Sequence, residues 1–407
     1  MSQESESPEL PLLSAPRHPI DVVTDRTSWH RTLDLLAGGT GPIAIDVERA
    51  SGFRYSPRAY LVQLYRRGSH NFIVDPVEIP DLSELSRQFV DAEWILHAAH
   101  QDLPSLRNLG VSPETIFDTE LGARIAGLPR VGLQGAVEDL LGLRLAKEHS
   151  AADWSTRPLP PSWIDYAALD VEILPDLRDV IAAHLEAAGK EGWAQEEFQA
   201  VLRMEPPTRG PEPWRRLSGL HQVRGQRALA IARSLWLSRE ELAQELDIAP
   251  GRLVPDRALI AAVLASPPTK RALADLSSFH GRYAKREMNR WWEAIEQGRQ
   301  TEDLPSLKAP SDSLPPPRAW MDKNPDAARR LTIARDAIAR IAASQHIPGE
   351  NLLSPETLRR LSWSPPLLLT LESVSRALDD RGVRQWQRDL TAGVVLESFL
   401  EAAALSE

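Results

Sequence analysis

Residues 41–49 read Gly-Pro-Ile-Ala-Ile-Asp-Val-Glu-Arg, and this stretch decides how the first half of the chain folds. Ile43, Ala44 and Ile45 form a short apolar run that follows the turn residues Gly38-Gly39-Thr40-Gly41 and ends in Asp46. A run of this kind, bounded by turn residues, reads as a core strand. Strand side chains alternate between faces, so Asp46 and Glu48 project together and Val47 points into the core on the other side. Two carboxylates so placed repel: at ~5 Å and an effective dielectric of about 20 the pair costs roughly 3 kcal/mol. A bridging cation turns that cost into a binding site. By itself an Asp-x-Glu at a strand end is more commonly two solvated charges. Further residues are needed to give it meaning.

Outward from this strand, residues 60–65 (YLVQLY) and 71–74 (NFIV) read as its next partners, joined by the hairpin turn Arg66-Arg67-Gly68-Ser69. Residues 82–90 read as a short amphipathic helix and 94–98 (WILHA) as another buried strand. Helical patterns follow over 103–109, 119–125, 133–141 and 163–187. Strands first, then helices interleaved with a strand or two, give a mixed α/β domain over residues 20–203. Two proline-rich stretches, 204–213 and 299–317, have linker chemistry. They bracket an all-helical block at 214–298 and precede a second at 318–407. Each block has an early Ala-Arg pair (Ala232-Arg233, Ala334-Arg335) followed by a Pro-containing turn, a modest repeat signal.

The 407 residues are too many for one compact domain. Residues 1–19, rich in Ser, Glu and Pro, read as an acidic disordered tail without the basic and apolar regions of a secretory signal. No apolar run is long enough to cross a membrane. Cysteine is absent, which excludes disulfide scaffolds, thiolate zinc sites and a Cys nucleophile and fits a cytoplasmic location. The net charge is −10, yet residues 209–298 carry 15 Lys and Arg against 10 Asp and Glu, a net of +5. A basic module therefore sits on an otherwise acidic chain, and distribution matters more than the total.

Two more acidic positions complete a pattern. Asp102 follows the strand at 94–98 and opens the helix at 103–109, where an acid is also an ordinary capping choice. Tyr166 and Asp170 lie four apart on one helical face. Asp-x-Glu on a strand, Asp after a later strand and Tyr-x-x-x-Asp on a late helix, in that order, resemble the tyrosine subgroup of the DEDD exonuclease superfamily. HAAHQDL (97–103), FDTELGARI (117–125), LAKEHSAADWSTRPL (145–159) and DYAALDV (165–171) narrow the resemblance to ribonuclease D.

The resemblance covers residues 20–200 and implies a ribonuclease-H-like mixed sheet and metal-dependent removal of nucleotides from RNA 3′ ends. Asp46, Glu48, Asp102 and Asp170 would hold two divalent ions, Mg²⁺ or Mn²⁺, and Tyr166 would orient the attacking water. Hard oxygen ligands suit those metals. Gln63 and His97 occupy family-like supporting positions; Asp153, Trp154 and Arg157 would either line the substrate path or hold a structural loop. The family typically reads Asp-Thr-Glu-Phe at the first motif, where this chain has Asp46-Val47-Glu48-Arg49. Substrate contacts at Arg49 are thereby placed in doubt, metal binding is not.

Residues 214–256 resemble the HRDC module, which implies an auxiliary helical surface for nucleic acid. Arg215, Arg216, Arg224, Arg227, Lys285 and Arg286 are the candidate phosphate contacts, while Trp291-Trp292 reads as core. The block at 318–407 resembles HRDC more weakly, through residues 334–357. The substrates so implied are RNA 3′ ends, in tRNA precursors or other structured RNA. A DNA exonuclease and a non-catalytic nucleic-acid-binding protein are the competing readings. The lack of a helicase P-loop favours the stand-alone RNA enzyme over the first, and the intact set of carboxylates speaks against the second.

Overall fold

The computed structural model describes residues 10–146, 149, 151–205, 209–308 and 314–405. Residues 1–9 of the expected tail, and residues 206–208 and 309–313 of the two expected linkers, lie outside the described residues.

Among the described residues the strands are β1 (Leu12–Leu13), β2 (Ile20–Val23), β3 (Thr40–Arg49), β4 (Ala59–Arg67), β5 (Asn71–Val74), β6 (Glu93–Leu96), β7 (Thr115–Asp118) and β8 (Arg144–Leu145). Six of them form one mixed sheet in the order β2-β5-β4-β3-β6-β7. β3, β4 and β5 run antiparallel as a meander, and β2, β6 and β7 join in parallel. The helices of this half are α1 (Arg26–Ala37), α2 (Ser83–Gln88), α3 (Leu103–Asn108), α4 (Thr119–Ala126), α5 (Leu133–Leu141), α6 (Pro161–Glu172), α7 (Leu174–Ala187) and α8 (Glu191–Arg203).

Strand alternation divides the packing. Ile43, Ile45 and Val47 of β3, with Val62 and Leu64 across the ladder, are buried in the main core, as the alternation at Val47 requires. Leu61 and Ile73 pack instead against Ala167 and Ala168 of α6 in a smaller cluster that includes the fully buried Trp154. The carboxylate strand is thereby roofed by the helix that carries Tyr166 and Asp170.

Several elements depart from the sequence reading. The helix expected over 163–187 is two helices, broken at Ile173, because Pro175 has no N–H to give and its ring crowds the preceding turn. β2, α1 and β7 were not expected. Each of the two strands is only four residues long and sits at a sheet edge, so neither offers a long periodic signal. The tail expected to be disordered through residue 19 is ordered from Leu10. β1 pairs with β8, and the Glu172 carboxylate accepts the Arg17 backbone N–H at 2.9 Å.

The first helical module comprises α9 (Gln226–Leu246), α10 (Pro250–Leu253), α11 (Asp256–Ala265), α12 (Lys270–Ala274), α13 (Arg282–Arg286) and α14 (Met288–Gln300). It has its own core, in which Trp291 is fully buried and Trp292 partly so. Helices α9 and α14 cross at Gly298, where a Cβ would stand 2.5 Å from the Ile231 Cα; only glycine allows this approach. The second module comprises α15 (Trp320–Lys323), α16 (Pro325–Ser344), α17 (Gly349–Leu352), α18 (Pro355–Trp363), α19 (Leu371–Asp379) and α20 (Gln385–Ala404).

This second module is no free appendage. Its Ile338, Leu361, Leu378 and Phe399 belong to the same continuous core as Ile125, Phe117 and Phe198 of the α/β half. Trp193 stacks on Trp386 at 4.8 Å, and Glu197 accepts from Trp386 Nε1 (3.1 Å) and Arg384 (2.8 Å). Lys190 Nζ donates to the carbonyls of Ile125 and Gln345, tying the two parts together.

Candidate active site

Asp46 and Glu48 project from the end of β3, and Asp170 reaches them from α6. Ligand oxygens of the three lie within 4.8 Å of one another, the one such metal-capable cluster among the described residues. Asp102 approaches from the turn after β6. Its carboxylate does not cap α3. It bonds to Asp46 and accepts from Arg49 Nη1 at 3.1 Å. The capping explanation for Asp102 is thus set aside by the geometry.

The electrostatics follow from crowding in a dry place. Burial pushes the Asp46 and Asp102 carboxyls above the usual range, and repulsion by Asp46 raises Asp102 further. Burial and the charges of Asp46, Asp170 and Asp102 push Glu48 up to about 10. Arg49 is the cationic counterweight that pulls all three back down. Carboxylates this reluctant to ionise are what a divalent ion reverses, since its charge dominates the local field. The donor set is all hard oxygen, which fits Mg²⁺ or Mn²⁺.

Tyr166 sits one helical turn before Asp170 on α6 and its hydroxyl donates to the Asp170 carboxylate. Burial, then Asp170 and Glu48, drive the phenol pKa up, so it stays a protonated donor. Its ring lies near Trp154 and His149.

The supporting residues divide. Gln63 pairs across the ladder with Asp46, is fully buried, and neither its amide nitrogen nor its amide oxygen has a hydrogen-bond partner among the described residues. His97 bonds through Nδ1 to Thr119 Oγ1 at 2.9 Å, and burial holds its pKa down. Arg157 grips Asp75 with two bonds (2.5 and 2.9 Å) and donates to the carbonyls of Trp154 and Tyr60, which ties the 153–157 segment to the sheet.

Asp118, inside the FDTELGARI stretch at 117–125, also serves the site. Its buried carboxylate accepts from four backbone N–H groups: Ala98, Ala99, Glu120 and Leu121, at 2.8–3.1 Å. It caps α4 and pins the turn at Ala98, which takes the left-handed conformation (φ 61°) four residues before Asp102. The signal that could have found it was an acid immediately before a helical pattern.

The basic candidates of the first helical module are scattered in use. Arg215 pairs with Glu212 at 2.7 Å and stacks over Trp214, while Arg224 and Arg227 donate to the carbonyls of His221 and Thr301. Arg286 meets Glu287 at 3.3 Å; Arg216 and Lys285 are exposed.

Comparison with known proteins agrees with this fold. Residues 20–186 match a family described as 3′-5′ exonuclease, residues 228–295 the HRDC domain, and residues 313–399 a 3′ to 5′ exonuclease C-terminal domain. Ribonuclease D of Acidiphilium cryptum is 29% identical over 327 residues, 79% of this chain and 81% of that protein. A crystal structure of a protein from Bifidobacterium adolescentis superposes with a TM-score of 0.87 at 36% identity, over 96% of this chain and all of that one. Escherichia coli ribonuclease D shares the fold, with a TM-score of 0.68 at 23% identity over 94% of this chain and 99% of that one. With an exonuclease domain at residues 20–186, an HRDC domain at 228–295 and similarity to ribonuclease D over most of its length, the chain is a 3′-5′ exonuclease similar to ribonuclease D.

Proposed function

We propose that this chain removes mononucleotides from RNA 3′ ends through Asp46, Glu48, Asp102, Asp170 and Tyr166. The observation that carries the proposal is the meeting of Asp46, Glu48 and Asp170 within 4.8 Å, with Tyr166 bonded to the last of them. Two divalent ions, Mg²⁺ or Mn²⁺, held by Asp46, Glu48, Asp102 and Asp170 would activate water and neutralise the phosphate and the leaving oxygen. The chain's own residues do the rest. The carboxylates fix where the phosphodiester sits, and the Tyr166 hydroxyl, whose proton goes to Asp170, can accept a hydrogen bond from the attacking water and so orient it. The pinned turn at Ala98 keeps Asp102 at the cluster.

The E. coli relative is described as an exoribonuclease involved in structured RNA processing. We extend that substrate class to this chain: 3′ ends of structured RNA, tRNA precursors among them, in the cytoplasm. No helix of the described residues is long and apolar enough to cross a membrane.

The domain division proposed is exonuclease at 20–203, HRDC at 214–298 and a second HRDC-like module at 318–407. Its support is the repeated element order: helices of 21, 4 and 10 residues in α9–α11 and of 20, 4 and 9 in α16–α18. A buried tryptophan precedes each set, Trp214 and Trp320. The first module, with its net charge of +5, is the proposed auxiliary RNA surface, with Arg216, Lys285 and Arg286 the positions best placed to meet phosphate and Arg215, Arg224 and Arg227 at its rim.

The test is digestion of matched 5′-labelled RNA and DNA strands with Mg²⁺, Mn²⁺ or EDTA. A ladder shortening from the 3′ end of RNA, abolished by EDTA, is expected. Equal or faster loss of DNA would move the substrate assignment to DNA.

A further inference from the structure

Asp102 is the one of the four carboxylates not in the close group of Asp46, Glu48 and Asp170; it bonds to Asp46 and also to Arg49. Arg49 Nη1 donates to Asp102 Oδ1 at 3.1 Å and also to the Gln101 carbonyl. The Asp102 side chain is 5% exposed and that of Arg49 23%, so the pair is sheltered on one side and open on the other.

The backbone of Arg49 is fixed. The β3–β4 ladder slips by one residue between Glu48 and Arg49, where Tyr60 is the extra residue of a β-bulge. The loop that follows is gripped by the HRDC module. Arg252 lies over the Phe53 ring at 3.7 Å and donates to the Gly52 carbonyl at 2.7 Å. Asp247 accepts from Ser56 N (2.8 Å) and Tyr60 Oη (3.2 Å). Movement at position 49 therefore belongs to the side chain, a long planar cation suited to both carboxylate and phosphate.

We propose that Arg49 is a resident counter-ion that competes with a divalent cation for Asp102 and is drawn off by a nucleic-acid phosphate. This rests on the metal-dependent reading above and deepens it. With no nucleic acid present, the guanidinium satisfies Asp102, so a cation using Asp46 and Asp102 binds weakly while one using Asp46, Glu48 and Asp170 does not meet this competitor. When a phosphate enters, Arg49 exchanges one anion for another and Asp102 is released to ligate. The full carboxylate set is then assembled only where a substrate phosphate is present. Arg49 acts through Asp102 and is a positioning residue.

Mn²⁺ titration of the full chain tests this by calorimetry and by the spin-resonance signal of free Mn²⁺, without reference to turnover. The parent protein should bind one Mn²⁺ tightly and a second at least tenfold more weakly. A nucleoside 5′-monophosphate as phosphate probe should tighten the second at least tenfold. Arg49→Met should bind the second Mn²⁺ at least tenfold more tightly than the parent without nucleotide and should lose most of the nucleotide-dependent gain. A structural role alone would weaken metal binding or leave it unchanged. Two equally tight Mn²⁺ in the nucleotide-free parent would overturn the inference, and that measurement needs no variant. So would an Arg49→Met protein, folded by circular dichroism, whose second affinity is not raised. If the parent binds no Mn²⁺ at all, the metal-dependent reading itself fails, a result distinct from either.

Discussion

Replacing Glu48 by Gln should make the metal-free protein more stable, and more so as pH rises. Glu48 ionises near 4.5 in the unfolded chain, but burial and the three other carboxylates push its pKa in the fold up to about 10. The folded state therefore holds a proton that the unfolded state releases over this whole interval. With more protons bound in the fold, stability is fully present below pH 4.5 and is lost as pH rises toward 10. At pH 7 the loss depends only on the distance from 4.5, provided the folded value stays above 7. At 1.36 kcal/mol per unit it is about 3 kcal/mol. Gln keeps the shape, carries no charge and escapes this penalty, so about 3 kcal/mol is the ceiling on the gain at pH 7. For a unit of this size that is on the order of 10 °C in Tm. The assay is thermal melting of both proteins in EDTA at pH 5, 6, 7 and 8. The gap should be small at pH 5 and widen steadily. With saturating Mg²⁺ it should shrink or invert, because the parent gains a bound ion that the variant holds poorly. A Gln variant melting below the parent in EDTA at pH 7, or a gap independent of pH, would refute the reasoning.

Tyr166→Phe should lower single-turnover cleavage about 10²-fold at saturating Mg²⁺ with RNA affinity little changed, since the ring still packs and only the orienting hydroxyl is lost; rates within threefold of the parent would leave Tyr166 as core filler. Asp118→Asn places an amide against backbone donors that now meet a carboxylate. Urea unfolding should show a loss of about 2–3 kcal/mol, with kcat falling because the turn that delivers Asp102 loosens; an unchanged kcat would remove the positioning role. Glu197→Ala strands Arg384 and the Trp386 Nε1–H at the joint with the C-terminal module, and breaking such a sheltered pair should cost about 3 kcal/mol in the same assay. Truncation at residue 204 should be worse still, because it bares the apolar surface shared by Ile338, Phe399 and Phe198.

Periodicity made the centre of the sheet legible. A strand that is apolar on one face and acid-bearing on the other can be packed in few ways, and Val47 is buried beneath the carboxylates as alternation requires. The short edge strands β2 and β7 were not legible, because four residues carry no period and their pairing partners are distant in sequence. The break between α6 and α7 was signalled by Pro175, which a continuous helical pattern concealed.

At the site, order and spacing along the chain pointed to Asp46, Glu48, Tyr166 and Asp170, which the fold does bring together. The salt bridge from Arg49 to Asp102 could not be read, since its two residues are 53 positions apart in the chain. Nor could the shared core of the α/β half and the last helical module. A proline-rich stretch looks the same whether the blocks beside it dock or drift, and docking is decided by side chains such as Trp193 and Trp386 that meet only in space. The basic module was legible in its total charge but not in the use of each arginine. Arg215 and Arg227 bond within the protein, and charge counting has no access to that.

The most direct test is single-turnover digestion of a 5′-labelled RNA at saturating Mg²⁺ by the parent and by Asp170→Asn, each shown to be folded. Asp170 stands where α6 meets β3, so the change removes one corner of the carboxylate cluster and leaves the Tyr166 ring and the helix in place. The parent should shorten the RNA stepwise from its 3′ end, and the Asn variant should show no stepwise products over the same time. Shortening by the variant at a rate within tenfold of the parent would contradict the assignment of this cluster as the seat of hydrolysis.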